Sequence, residues 1–189
     1  MQLILVGPIP KTGPHPEIFA VKIRYIIVSL IAAAVVIGAY VLSRGFSARA
    51  RPMFAETFVA RRLRSLAVPR GVRAMQNPVP SDSKTLSEAM AHFADHCAFC
   101  HANDGSGDTP IGQGLYPKPP DMRLPDTQNL TDGELYYIIY NGVRFTGMPA
   151  FGHSLNETQI WQLALFLKHM DSLPPGPDRA WKAVKSVAQ

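Results

Sequence analysis

The chain has 189 residues, a formal net charge of +5 and two cysteines, which leaves room for one compact domain plus extras and excludes two large domains. The charge is unevenly spread: residues 1–81 carry eleven Lys/Arg against two acids (net +9), and residues 82–173 carry five against eleven (net −6). The basic excess therefore belongs to the N-terminal part, flanks an apolar run and accompanies no recognition motif, so no nucleic-acid partner is expected.

Residues 1–24, rich in Pro and Gly, read as a short irregular tail. Residues 25–42, YIIVSLIAAAVVIGAYVL, carry no charge; as a helix they span about 27 Å, close to the hydrocarbon thickness of a bilayer. Lys22 and Arg24 precede the run, Arg44 follows it, and Tyr25 and Tyr40 sit near its ends, where amphipathic rings favour the interface. It is apolar on every face, which argues against a core helix. A cleavable signal peptide is the rival reading, because SARA at residues 47–50 has the small residues a cleavage site needs. The run exceeds the roughly 7–15 residues of a signal core, so an uncleaved transmembrane anchor is expected.

Residues 43–82 read as a basic amphipathic helix followed by a Pro-rich linker. Within residues 51–66, Ala55, Val59, Leu63 and Leu66 share one helical face, Arg61, Arg62 and Arg64 lie off it, and Pro52 suits a first helical position. Such a helix is a solvated continuation of the anchor, or else it lies on anionic lipid or docks a partner. Residues 68–83 are punctuated by proline and, fully extended, would reach about 50 Å.

Residues 83–173 form the expected domain, with residues 174–189 as a C-terminal tail. Thr85/Glu88, Thr131/Glu134 and Asn156/Gln159 each pair a capping side chain with Glu or Gln three residues on, marking three helix starts. Leu86, Met90, Phe93 and Cys97 form one stripe of the first helix. Gly142 ends the second, and Leu173-Pro174-Pro175 stops the third. No strand pattern and no internal repeat appear, so the fold class is all-α. The Gly- and Pro-dense stretch between the first two helices is too long for a compact domain unless something else organises it.

CAFCH at residues 97–101 supplies that organiser. In Cys-x-x-Cys-His, the thiols of Cys97 and Cys100 add to the vinyl groups of haem, and His101 binds the iron from the proximal side. A zinc finger needs a second ligand pair, and the chain has no further cysteine. A redox dithiol belongs at a strand-to-helix turn, which is absent here, and a disulfide across three residues closes too small a loop to contribute much. One covalently bound haem c is therefore expected. For the distal face, the candidates are Met122, Met148, Met170, His153 and His169. Met148 stands between Gly147 and Pro149 in NGVRFTGMPAFG, a rigid turn suited to presenting a thioether, and is the expected second ligand, with His153 in reserve.

Taken together, CAFCH, GQGLYPKPPDM, YNGVRFTGMPAFG and the terminal IWQLALFLKHM resemble a class I cytochrome c domain over residues 83–173, about half the chain. The resemblance implies a small fold of three main helices and long loops around one haem. It implies a first helix crossing the last, with Ala89 and Phe93 against Trp161 and Phe166. It implies the backbone around Pro119 and Pro120 as acceptor for the Nδ1–H of His101, and places Tyr137, Tyr140 and Arg144 among the plausible neighbours of the haem edge. Ala102 departs from the pattern, since many relatives carry Gly there.

Both axial positions filled by protein imply electron transfer rather than catalysis, between respiratory partners that offer a basic docking surface to an acidic domain. The chain would be a free-standing membrane-anchored carrier or a fixed subunit of a larger membrane oxidoreductase. A haem enzyme or gas sensor would need a displaceable distal ligand. More Lys/Arg follow the anchor closely than precede it, which would leave the domain in the cytoplasm. Attachment of haem c normally occurs on the outer side of the energy-conserving membrane. The expected location is therefore the periplasmic side of a bacterial inner membrane.

Overall fold

The computed structural model describes residues 16–43, 45 and 47–172, which divide into two units between Ser47 and Ala48. The expected proline stop at residues 173–175, the C-terminal tail, Arg44 and residues 1–15 lie outside the described residues.

The first unit holds one helix, α1 (Pro16–Ser43), whose stretch Phe19–Ser43 has a mean hydropathy of 2.6 and buries no side chain within the protein. Its 25 residues span about 37 Å, long enough to cross a bilayer. Residues 16–24, read from the sequence as the end of an irregular tail, are helical. Their Pro sits at the helix start, where its missing N–H costs no hydrogen bond.

The second unit contains α2 (Phe54–Ala67), α3 (Arg70–Arg73), α4 (Ser83–His96), α5 (Ala98–His101), α6 (Pro110–Gly114), α7 (Pro125–Gln128), α8 (Asp132–Asn141) and α9 (Glu157–His169). Every regular element among the described residues is helical, in line with an all-α domain. The capping boxes at Thr131/Glu134 and Asn156/Gln159 are both formed, each with its two reciprocal bonds. The first helix starts differently. Its cap is Asp82, whose carboxylate accepts the Thr85 N–H at 2.7 Å, so Thr85 lies inside the helix rather than at its cap. A carboxylate on extended backbone out-competes the Thr85/Glu88 pair expected to start it.

The core is the crossing of α4 with α9, joined by α8. Ala89 and Phe93 of α4 are fully buried with Ile160, Ala164 and Phe166 of α9, and the Phe93 and Phe166 rings meet tilted at 5.3 Å. Trp161 belongs to the same cluster, but its stacking partner is Tyr136 of α8, at 4.3 Å between ring centres. Small residues at a crossing let backbones approach, and aromatic rings then fill the flanks.

The segment read as a linker is laid on the domain. Val68 is buried, and the Asn77 amide donates to the Trp161 carbonyl at 2.9 Å. Val79 packs on the core, and the Thr131 hydroxyl donates to the Arg73 carbonyl at 2.9 Å. Arg73 Nε lies 3.1 Å from Glu134 Oε1, an ion pair in which the N–H is not aimed squarely at the oxygen. Glu134 spends its other oxygen on the Thr131 N–H of the capping box.

Candidate functional site

Cys97, Cys100 and His101 occupy positions i, i+3 and i+4 of one helical turn, and such positions share a face. Cys97 ends α4 and begins α5, with the Cys100 and His101 N–H groups both donating to its carbonyl, at 3.1 and 2.9 Å. The two thiols are free and half-buried, and Cys97 packs against the core. Burial pushes the Cys97 thiol up to about 12, with Cys100 nearby adding to the rise, and burial raises Cys100 as well. A redox dithiol needs the opposite, a thiol whose ionisation is favoured.

His101 is buried, and its Nδ1 has no hydrogen-bond partner. Loss of hydration holds the ring's pKa down to about 4, so the imidazole is neutral near pH 7 and keeps a lone pair for a metal. The unpartnered Nδ1 is the nitrogen expected to bond a backbone carbonyl, which leaves Nε2 as the nitrogen for a metal. The contact implied with the backbone near Pro119 and Pro120 is not made. The Pro119 carbonyl instead lies against Gly107, where an added Cβ would sit 2.8 Å from it.

The loop after the motif is tied to the motif's own carbonyls. Gly107 N–H donates to His101 O at 2.8 Å, and the Thr109 hydroxyl donates to Cys100 O at 3.3 Å while accepting from Gly112 N at 2.8 Å. A Cβ on Gly112 would lie 2.6 Å from Cys100 O. Thr109 and Gly112 were not singled out in the sequence; a Thr before a proline at a short helix start is a cap signal, and nothing local says that it also holds Cys100. Ala102, in the Gly position of many relatives, adopts φ 61° and ψ 159°, a region that glycine enters without strain.

Met148 is half-buried and packs against the core. Its turn is fixed at both ends, since Val143 N donates to Met148 O at 3.2 Å and Met148 N donates to the Thr146 hydroxyl at 3.1 Å. Gly147 abuts the Leu115 side chain, which leads into the proline loop after α6. Phe145, in the same turn, is 92% exposed and has φ +61°, an unusual conformation for a bulky residue. The other distal candidates are engaged elsewhere or exposed. Met122 and Met170 are buried side by side at Gly105, His169 Nδ1 donates to Leu165 O at 2.9 Å, and His153 is exposed. Of the edge candidates, Tyr140 stacks on Tyr136 and covers Gly152, Tyr137 is half-buried, and Arg144 is exposed.

These residues fit haem c: a neutral buried imidazole, two free thiols on its face of the turn, and a thioether on a loop whose backbone is braced. Comparison with known proteins bears on the domain as a whole. The family described as cytochrome c oxidase, cbb3-type, subunit III matches residues 84–167. The cbb3-type cytochrome c oxidase subunit FixP of Azorhizobium caulinodans is 30% identical over 105 residues, covering 51% of this chain and 31% of that protein. The chain thus matches about a third of that relative's length.

Proposed function

We propose that this chain, in which residues 84–167 form a class I cytochrome c domain, passes single electrons between respiratory partners from a membrane anchor. The buried, neutral His101 ring on one turn with two free thiols is the observation that carries the reading. Cys97 and Cys100 would hold one haem c by thioether bonds, His101 would bind its iron, and Met148 would close the opposite side. When bound, the haem supplies a one-electron couple whose potential a Met ligand raises.

The protein's part is to hold its ligands still. The carbonyls of Cys100 and His101 are tied to the Thr109 and Gly107 loop, which keeps the imidazole from rotating with its backbone. The Val143 and Thr146 bonds hold the Met148 backbone in its turn, which fixes where its side chain starts. With His101 and Met148 both held to the iron, a substrate would find no open position, which would favour electron transfer over catalysis. Residues 82–173 carry a net charge of −6, which suits a partner with a basic docking surface. The relative's place as a subunit of a cytochrome c oxidase supports the further step that this chain serves as a subunit of a membrane oxidase. Covalent attachment of haem c, which normally occurs on the outer side, would place the anchored domain on the periplasmic side of a bacterial inner membrane.

The test is the visible spectrum of the purified full chain and of Met148→Ala. The native protein is expected to hold haem through denaturation in acid acetone, to show the Met–iron charge-transfer band, and to bind carbon monoxide poorly when reduced. Met148→Ala should lose the band and bind carbon monoxide readily. A band that survives the substitution would remove Met148 from the iron.

A further inference from the structure

The helix α2 is attached to its domain by the wrong side for an ordinary amphipathic helix. Thr57 and Arg64 are its partly covered positions, and they lie on the side from which Arg61 pairs with Asp126 at 2.5 Å. At the border between that side and the apolar stripe, Glu56 accepts from the Tyr116 hydroxyl at 2.6 Å. Burial lowers the Arg64 pKa, as expected of a guanidinium turned inward. The opposite face is the apolar one. Ala55, Val59, Leu63 and Leu66 all point away from the domain, with Leu63 61% and Leu66 80% exposed. Phe54 and Phe58 stand on the flank next to Arg61, where with Thr57, Arg61 and Arg62 they line a shallow groove of about 450 Å³.

We propose that α2 lies in the headgroup–acyl boundary of the bilayer that holds the anchor, with the Ala55/Val59/Leu63/Leu66 face toward the acyl chains. This rests on the membrane reading of α1. Three observations select lipid over other occupants. Ten residues separate Ser43 from Phe54, so the chain holds α2 within about 35 Å of the anchor's end. Arg51 and Arg62 are exposed, and the Arg62 guanidinium sits 5.3 Å over the Phe58 ring, which places cations where lipid phosphates would meet them. Four side chains on a helix about 21 Å long also offer far less than the roughly 800 Å² per partner of a stable protein interface. The polar bonds on its other side then make α2 a footing for the domain: with α2 seated, the tilt of the domain against the bilayer is fixed, and the approach of a partner is restricted to one side.

The experiment uses the full haem-loaded chain in vesicles of phosphatidylcholine and phosphatidylglycerol. A spin label is placed at Leu66→Cys or, as a solvent reference, at Ser87→Cys on the exposed side of α4. Oxygen, which enriches in acyl chains, and a water-soluble nickel chelate then compete as relaxing agents. The ratio of oxygen to nickel accessibility at Leu66 is expected to exceed that at Ser87 several-fold. Equal ratios at the two sites would overturn the proposal, as would a Leu66 label shielded from both reagents, since that is the mark of a protein covering the face. Extraction of the chain from the vesicles by alkaline wash would instead overturn the anchor reading beneath it.

Discussion

Replacing Gly142 by alanine tests how the Met148 loop is held. Gly142 has φ 66° and ψ −169°, where a side chain costs about 1–3 kcal/mol of backbone strain. The new Cβ would also lie 2.6 Å from Pro149 C, 2.7 Å from Ala150 N and 2.7 Å from Pro149 O. All three are backbone atoms of the segment after Met148, so no flexible side chain can give way, and such overpacking costs about 1–3 kcal/mol more. The lower conformational freedom of alanine in the unfolded chain returns about 0.5–1 kcal/mol. The net loss is about 1–5 kcal/mol, a large share of an ordinary domain's stability. Relief by moving the loop would strain the Val143–Met148 and Gly152–Tyr140 backbone bonds, so the sulfur should shift with it. Urea unfolding followed by circular dichroism reads the first effect, and the Met–iron band the second. Gly114→Ala, with open space around its added methyl, is the control. An unfolding midpoint and a band both unchanged in Gly142→Ala would refute the reasoning.

Three further outcomes are expected. Gly133→Ala would put a Cβ 1.8 Å from the Val72 carbonyl oxygen, so α3 should lift from α8; amide exchange should quicken across residues 54–79 while α4 and α9 stay protected, and unchanged exchange would contradict the packing. Phe145→Gly should not lower stability, because its ring is exposed and its φ is positive, yet it should slow electron exchange with a partner if the strained aromatic is kept for docking; stopped-flow rates and thermal midpoints decide. The backbone N–H of Thr85 holds the Asp82 carboxyl below its ordinary value of 3.8, so its cap stabilises the fold above that pH, and the benefit is lost as pH falls through the depressed folded value. The stability gap between the native chain and Asp82→Ala should therefore close on acidification below about pH 3.8; a gap constant with pH would show that the charge contributes nothing.

Sequence alone brought the proposed haem-binding residues together, because Cys97, Cys100 and His101 are local: three residues of one helical turn reach the same side whatever surrounds them. It also carried the capping boxes of α8 and α9, whose partners are three residues apart. Local reading failed where two local signals competed, as at Asp82 against Thr85. It failed again where a distant partner decides, as for residues 68–79. Their prolines suggested a free linker, but Asn77, Val79 and Arg73 find their bonds and packing on helices more than fifty residues away.

The apolar stripe of α2 marks the same boundary. Helical spacing alone placed Ala55, Val59, Leu63 and Leu66 on one face, since a period of 3.6 residues is a property of the chain itself. Which way that face turns is set by where Asp126, Tyr116 and the α3–α8 contact stand in space, and only the tertiary structure decided that it turns outward. The same holds for His101. Its position behind the thiols is written in the chain, whereas its burial, its neutrality and its unpartnered nitrogen come from the loops that close around it.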